Sequence, residues 1–135
     1  MFQKIDHINF TVRDLNESAA WYEKVFGFKK VEEGSNMSGS RYAILENHDS
    51  MMCMSEHPSW QAPDLDGKNR QHQVFHFGFR ITDEGKWREL MREQNLTLTY
   101  GEVQYPRSTS WYVLDPNGFE IEVSYLKEGV TLFSR

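Results

Sequence analysis

The chain has 135 residues, 39% hydrophobic and 14% aromatic, with a formal charge of −5 and a pI near 5.5. That length suits one folded domain of ordinary composition, and the acidic balance argues against nucleic acid, whose recognition needs a basic stripe. No apolar run approaches the roughly 20 residues of a spanning helix, the amino terminus MFQKIDH has no signal-peptide apolar region, and the single Cys53 forms no internal disulfide, so a cytoplasmic protein without a membrane partner is expected.

The first strand is HINFTVRD, beginning at His7. Alternation along it sets Ile8, Phe10 and Val12 on an apolar side and His7, Asn9 and Thr11 on the other. Leu15, Ala19, Trp21, Tyr22, Val25 and Phe26 follow with helical spacing. Asp14 with Glu17 three residues on resembles a capping box, and Gly27 is placed to end the helix. Three strands are then expected at residues 28–33, 41–45 and 51–55, with Met51, Met52 and Met54 in the core. A polar, turn-rich stretch, HPSWQAPDLDGKNRQ, follows as linker. The pattern restarts at His76 in HFGFRITD. Here Phe75, Phe77, Phe79 and Ile81 form the helix side, and His76, Gly78 and Arg80 the free side. Thr82 or Asp83 precedes the acidic first turn of a second helix carrying Trp87, Leu90 and Met91. Strands at 98–103, 108–114 and 119–125 complete the copy. The plan is βαβββ written twice, an α+β domain over 1–135 with module one at 1–57, linker 58–71, module two 72–126 and a tail at 127–135.

The turn LDPNGFE fixes the last hairpin. Proline early and glycine in the left-handed position suit a type I turn followed by a glycine bulge. With Pro116, Asn117 and Gly118 as the loop, Asp115 faces Phe119, and counting back pairs Tyr112 with Glu122 and Ser110 with Ser124. Paired residues share a face, so Ser110, Tyr112, Glu122 and Ser124 lie on one polar surface, with Glu120 nearer the turn. A lone strand histidine or carboxylate is ordinarily structural. Two histidines at corresponding positions of a repeat, with a glutamate on the same face, instead suit a divalent first-row metal with open coordination positions. Arg80 and Arg107 are the candidates for holding an anionic substrate, because guanidinium pairs bidentately with carboxylate or phosphonate. Trp60 either lines the pocket or lies in a surface loop.

The stretch DHINFTVRDLNESAAWYEKVFGF, the HFGF restart and the closing DPNGFEIEV together resemble the vicinal oxygen chelate superfamily. It includes glyoxalase I, fosfomycin-resistance thiol transferases, extradiol dioxygenases and bleomycin-resistance binding proteins. The resemblance implies two modules forming curved mixed sheets around a metal site, with His7, His76 and Glu122 as ligands of one divalent ion drawn from Mn, Fe, Ni, Co or Zn. It implies a small-molecule substrate chelated through adjacent oxygens. It also implies a homodimer whose sites combine His7 of one chain with His76 of the partner subunit and Glu122 of the partner subunit. Ser110 and Tyr112 fall where the fosfomycin-resistance transferases hold substrate, and Asn9 where they carry a threonine; Tyr112 is the expected catalytic hydrogen-bond donor. The lysine and glutamate-glycine loop of those enzymes are absent from GEVQYPRSTS, whose only cation is Arg107. A glyoxalase I site takes a fourth ligand from the strand MMCMS, which has no carboxylate, leaving Cys53 and Glu56 open for that role. The implied activity is lyase, isomerase or thiol-transfer chemistry, with an extradiol dioxygenase or a non-catalytic drug- or metabolite-binding dimer as alternatives.

Overall fold

The structure, a computed structural model, describes residues 1, 5–57, 59–61 and 76–130. Its contacts divide the chain into two compact units, Met1–Ala62 and Pro63–Arg135. Each unit follows one plan, strand, helix and three strands, so the expected βαβββ duplication and α+β class are what the chain adopts. Of the linker expected at 58–71 only residues 59–61 are described, and Phe75, expected on the helix side of the second copy, lies outside the described residues.

The first unit contains β1 (Ile8–Val12), α1 (Leu15–Phe26), β2 (Lys29–Ser35), β3 (Arg41–Asn47) and β4 (Ser50–Glu56). Its sheet runs β1-β4-β3-β2, with β1 parallel to β4 and the other pairs antiparallel. The helix starts where extended Asp14 accepts the Glu17 N–H at 2.8 Å. Only half of the capping box forms, because the Glu17 side chain pairs with Arg13 at 2.7 Å rather than reaching back. The helix ends at Gly27, whose φ of 72° is the left-handed conformation that a residue without Cβ adopts freely. Leu15, Ala19, Tyr22 and Val25 are buried on the helix, as are Ala43, Leu45, Met52 and Met54 on β3 and β4. Each large apolar side chain so buried contributes about 1.5–3 kcal/mol. Met51 does not join that core. It is half-buried, because alternation turns it, like Cys53, to the face opposite Met52 and Met54.

The second unit contains β5 (Phe77–Ile81), α2 (Glu84–Glu93), β6 (Leu98–Gln104), β7 (Ser108–Leu114) and β8 (Glu120–Leu126), in sheet order β5-β8-β7-β6 with β5 parallel to β8. Asp83, not Thr82, caps α2 by accepting the Lys86 N–H at 2.9 Å. The helix is short and largely polar. It is anchored by buried Trp87, while Arg88 pairs with Glu84 and Glu102 and lies 5.2 Å from the Trp111 ring.

The β7–β8 hairpin has the loop read from its sequence. The Asp115 N–H donates to Phe119 O at 3.0 Å and the Gly118 N–H to Asp115 O at 2.9 Å, with Gly118 at φ 77°. The Asp115 carboxylate accepts the Asn117 and Phe119 N–H groups, each at 2.8 Å, so the turn is tied from within. Tyr112 therefore pairs with Glu122 and Ser110 with Ser124. The polar face this register creates is buried rather than solvated, with Glu122 only 3% and Tyr112 4% exposed. Alternation dictated which residues share that face but not that it would be covered.

Candidate metal centre

In the second unit the parallel β5–β8 register puts Gly78 beside Glu122, and His76 two residues before Gly78 on the same face. His76 Nε2 lies 3.0 Å from Glu122 Oε2, and its Nδ1 lies 3.6 Å from Glu120 Oε1. A buried carboxylate is costly unless it is paired and hydrogen-bonded. Beyond the imidazole, Glu122 accepts from Ser124 Oγ at 3.3 Å, and Ser110 lies 3.2 Å from Ser124, so two hydroxyls in series orient the carboxylate.

This donor set fits a divalent metal. Donors held about 2.0–2.2 Å from one ion in neighbouring positions are themselves about 3 Å apart, which is the separation of Nε2 and Oε2 here. A metal-bound imidazole ordinarily gives its other N–H to a carboxylate, and Glu120 stands on that side of His76. Because Glu120 faces Nδ1 while Glu122 faces Nε2, the two carboxylates do not converge on one point with the ring. Among the described residues no group of three or more His, Cys, Asp or Glu side chains is gathered closely enough to hold an ion alone.

His7 belongs to the first unit. It is exposed just before β1, and its Nδ1 is 2.9 Å from Asp6 Oδ2. Each histidine thus has a carboxylate on its Nδ1 side. Neither Asp6 nor Glu120 stood out in the sequence as a partner; the adjacency of Asp6 to His7 and the i, i+2 spacing of Glu120 and Glu122 were the available signals.

The register of the first unit also sorts the two open candidates for a further ligand. Cys53 pairs with Asn9 on the face shared with Thr11 and Ser55, the relationship that Glu122 has to Gly78 in the second unit. Burial pushes the Cys53 thiol up from its usual pKa, and the Asp6 and Glu32 charges push it further. Glu56 is on the opposite face, paired with Val12, where it accepts the Leu15 N–H at 2.8 Å and lies 3.7 Å from Arg41. It anchors the start of α1.

A cavity of about 350 Å³ is lined by His76, Gly78, Phe79, Arg80, Glu122 and Ser124. Beside it, Tyr112 meets the His76 ring edge-on at 5.7 Å, its hydroxyl lies 2.8 Å from that of Tyr105, and Tyr100 packs edge-on at 5.3 Å. Tyr105 and Tyr100 were not expected there; they come in through the β6–β7 hairpin and the break in register between Leu98 and Glu102. Of the remaining expected residues, Asn9 is exposed on β1 and Arg107 is exposed in the β6–β7 turn, its carbonyl accepting the Lys127 N–H at 3.0 Å. Trp60 lies under the Arg13 guanidinium at 5.8 Å and lines a cleft of about 510 Å³ in the first unit with Arg13, Arg41, Glu56 and His57.

Two copies of a βαβββ unit, one presenting a histidine and the other a histidine–glutamate pair, define a duplicated α+β fold. The chain belongs to the Glyoxalase/Bleomycin resistance protein/Dioxygenase superfamily, whose family model matches residues 4–123. The vicinal oxygen chelate resemblance in the sequence is thereby borne out. The metallothiol transferase FosB of Lysinibacillus sphaericus is 25% identical over 89% of this chain and 80% of its own length. A glyoxylase/bleomycin resistance protein/dioxygenase domain from Frankia sp. EAN1pec has a TM-score of 0.80 at 19% identity, over 96% of each chain. A variant of the fosfomycin resistance protein FosX from Listeria monocytogenes, complexed with Mn(II) and 1S,2S-dihydroxypropylphosphonic acid, has a TM-score of 0.69 at 20% identity over 91% of this chain and 92% of that one.

Proposed function

We propose that the protein is a metal-dependent enzyme in which His7, His76 and Glu122 hold one divalent ion of Mn, Fe, Ni, Co or Zn, and a small substrate binds through two adjacent oxygens. The observation that carries this reading is the 3.0 Å approach of His76 Nε2 to Glu122 Oε2 beside an open cavity. Two imidazoles and one carboxylate leave coordination positions for substrate. A bound divalent ion would supply Lewis acidity towards charge developing on a substrate oxygen.

The chain's own residues then divide the work. Asp6 pairs with Nδ1 of His7 at 2.9 Å, and Glu120 stands 3.6 Å from Nδ1 of His76, on the side where a metal-bound imidazole gives its other N–H. Ser110 acts through Ser124, which keeps Glu122 turned towards His76. Tyr112 donates a hydrogen bond to a substrate oxygen, held in place by Tyr105 and Tyr100. Asn9 contacts the substrate body and Arg80 lies at the far edge of the cavity, with Arg107 and Trp60 as outer contacts. Likeness to a metallothiol transferase supports thiol transfer or a related lyase or isomerase reaction, and the Mn(II) bound by the FosX variant supports the class of metal. The working form is a cytoplasmic homodimer, with both units of one 135-residue domain contributing to the centres and His7 of one chain serving beside His76 of the partner subunit and Glu122 of the partner subunit.

The test is elemental analysis of protein purified without chelator and then supplied with each metal. Wild type should retain one divalent ion per chain, and His7→Ala, His76→Ala and Glu122→Ala should each lose most of it. If wild type retains none at micromolar free metal, the enzymatic reading fails in favour of a metal-free binding protein.

A further inference from the structure

Arg80 differs from the other arginines that line the two cavities. Arg13 is paired with Glu17 and Arg41 with Glu33, whereas Arg80 makes no ion pair among the described residues and is exposed. Among the described residues it is also the one arginine or lysine lining the cavity that holds His76 and Glu122. An unpaired guanidinium at the edge of a cavity with a buried carboxylate in its wall is an electrostatic asymmetry that a ligand can use.

Backbone register sets the spacing. On one face of β5, His76, Gly78 and Arg80 follow one another, and on β8 the partners of Gly78 and Arg80 are Glu122 and Ser124. Two residues of strand separate the level of Glu122 from that of Arg80, about 7 Å. On β5 the position level with Glu122 is bare, because Gly78 has no side chain. A Cβ built there would touch only Glu122, its backbone oxygen at 3.5 Å and its Cβ at 3.8 Å.

The geometry points to a substrate class: a small molecule with two adjacent oxygens at one end and a carboxylate, phosphonate or phosphate about 7 Å away, its body lying over Gly78 and its anion held by Arg80. Guanidinium suits that task, presenting two parallel N–H donors to two oxygens of one anion. The inference rests on the metal centre proposed above, and its test separates the two.

Two hydroxamates serve as probes for the Co(II)-loaded protein, propionohydroxamate and its carboxylate-bearing analogue succinic monohydroxamate. Both offer the same pair of adjacent oxygens; only the second carries the distant anion. Affinities are measured by titration followed in the visible Co(II) spectrum and by calorimetry. Wild type should bind the carboxylate probe at least tenfold more tightly, with the preference shrinking as salt rises. Arg80→Gln should erase that preference while leaving propionohydroxamate affinity within twofold, and Arg80→Lys should restore part of it; Arg80 is exposed, so these variants should fold. Equal wild-type affinity for the two probes, or a preference that survives in Arg80→Gln, overturns the assignment and leaves the metal centre standing. Binding of neither probe in a metal-dependent way removes the centre, and the assignment with it.

Discussion

Glu122→Gln should reverse the order of stability of two proteins according to whether metal is present. Glu122 is 3% exposed, and without a metal to neutralise it a carboxylate taken that far out of water costs several kcal/mol. Its compensation includes the contact with His76 at 3.0 Å and the Ser124 hydrogen bond at 3.3 Å, and hydrogen bonds to a charged group contribute about 1.5–3 kcal/mol each at best. Glutamine has nearly the same shape. It still accepts from Ser124, and it can donate to or accept from the imidazole, while removing the buried charge. The metal-free variant should therefore be as stable as wild type or more so, by up to about 2 kcal/mol, which for a chain of this size is several degrees in Tm.

Metal reverses the balance. An ion at one hundred times its Kd stabilises the folded wild type by about 2.7 kcal/mol. The variant, lacking an anionic ligand, should gain under about 1 kcal/mol at the same concentration. The assay is thermal and urea unfolding of both proteins, first in chelator and then in excess Mn or Zn. A variant that is less stable than wild type in chelator, yet gains as much from metal, would refute the view that Glu122 is a ligand held at a cost to the fold.

Tyr112→Phe should leave metal content unchanged and lower turnover about ten- to a thousandfold if the phenol stabilises charge in the transition state; Tyr105→Phe, which removes its 2.8 Å partner, should give a smaller loss, and unchanged kcat and kcat/KM in Tyr112→Phe would take that residue out of the mechanism. Verified mixed dimers of His7→Ala and Glu122→Ala chains should recover one of two metal sites, whereas no recovery would mean that each site is built within a single chain. Glu33 is held down to about 2 by hydrogen bonds from Arg41 and Lys30. Its folded value lies below the unfolded one, so the stabilisation is complete above the ordinary carboxylate range and is lost as pH falls towards 2. The unfolding midpoints of wild type and Glu33→Gln should accordingly differ most above pH 5 and converge near pH 2, and a gap independent of pH would contradict this.

The parts of the fold that were legible in the sequence are those set by local chemistry. Asp14, Gly27 and Asp83 bound their helices through interactions within a few residues. The turn LDPNGFE is closed by the Asp115 side chain, and its loop length carried the register outward to Tyr112 and Glu122. Alternation then put His76 and Glu122 on one face. What required three dimensions was the choice of partner. Glu56 sits at the end of a strand that could have offered a ligand, yet parity turns it to the helix side, where the Leu15 N–H takes it. Nor does strand alternation reveal that Glu120 faces Nδ1 of His76 and not Nε2, since that depends on side-chain torsions rather than on register.

The duplication itself explains why the two units carry different chemistry on one frame. The parallel registers correspond position by position: Ile8↔Met52, Asn9↔Cys53 and Thr11↔Ser55 in the first unit, Phe77↔Ile121, Gly78↔Glu122 and Arg80↔Ser124 in the second. The apolar positions are nearly interchangeable because both copies must pack a helix on the same side of the sheet. On the other face the leading histidine is common to both copies, and the serines of β4 and β8 correspond. Where the second copy has a carboxylate and a guanidinium, the first has a thiol and a hydroxyl, both uncharged while the thiol keeps its proton. A carboxylate at the half-buried Cys53 position would add a further desolvation cost when no metal is bound. With the first copy neutral there, the buried carboxylate at that register position is the one in the second copy, where an imidazole and two hydroxyls are placed to hold it.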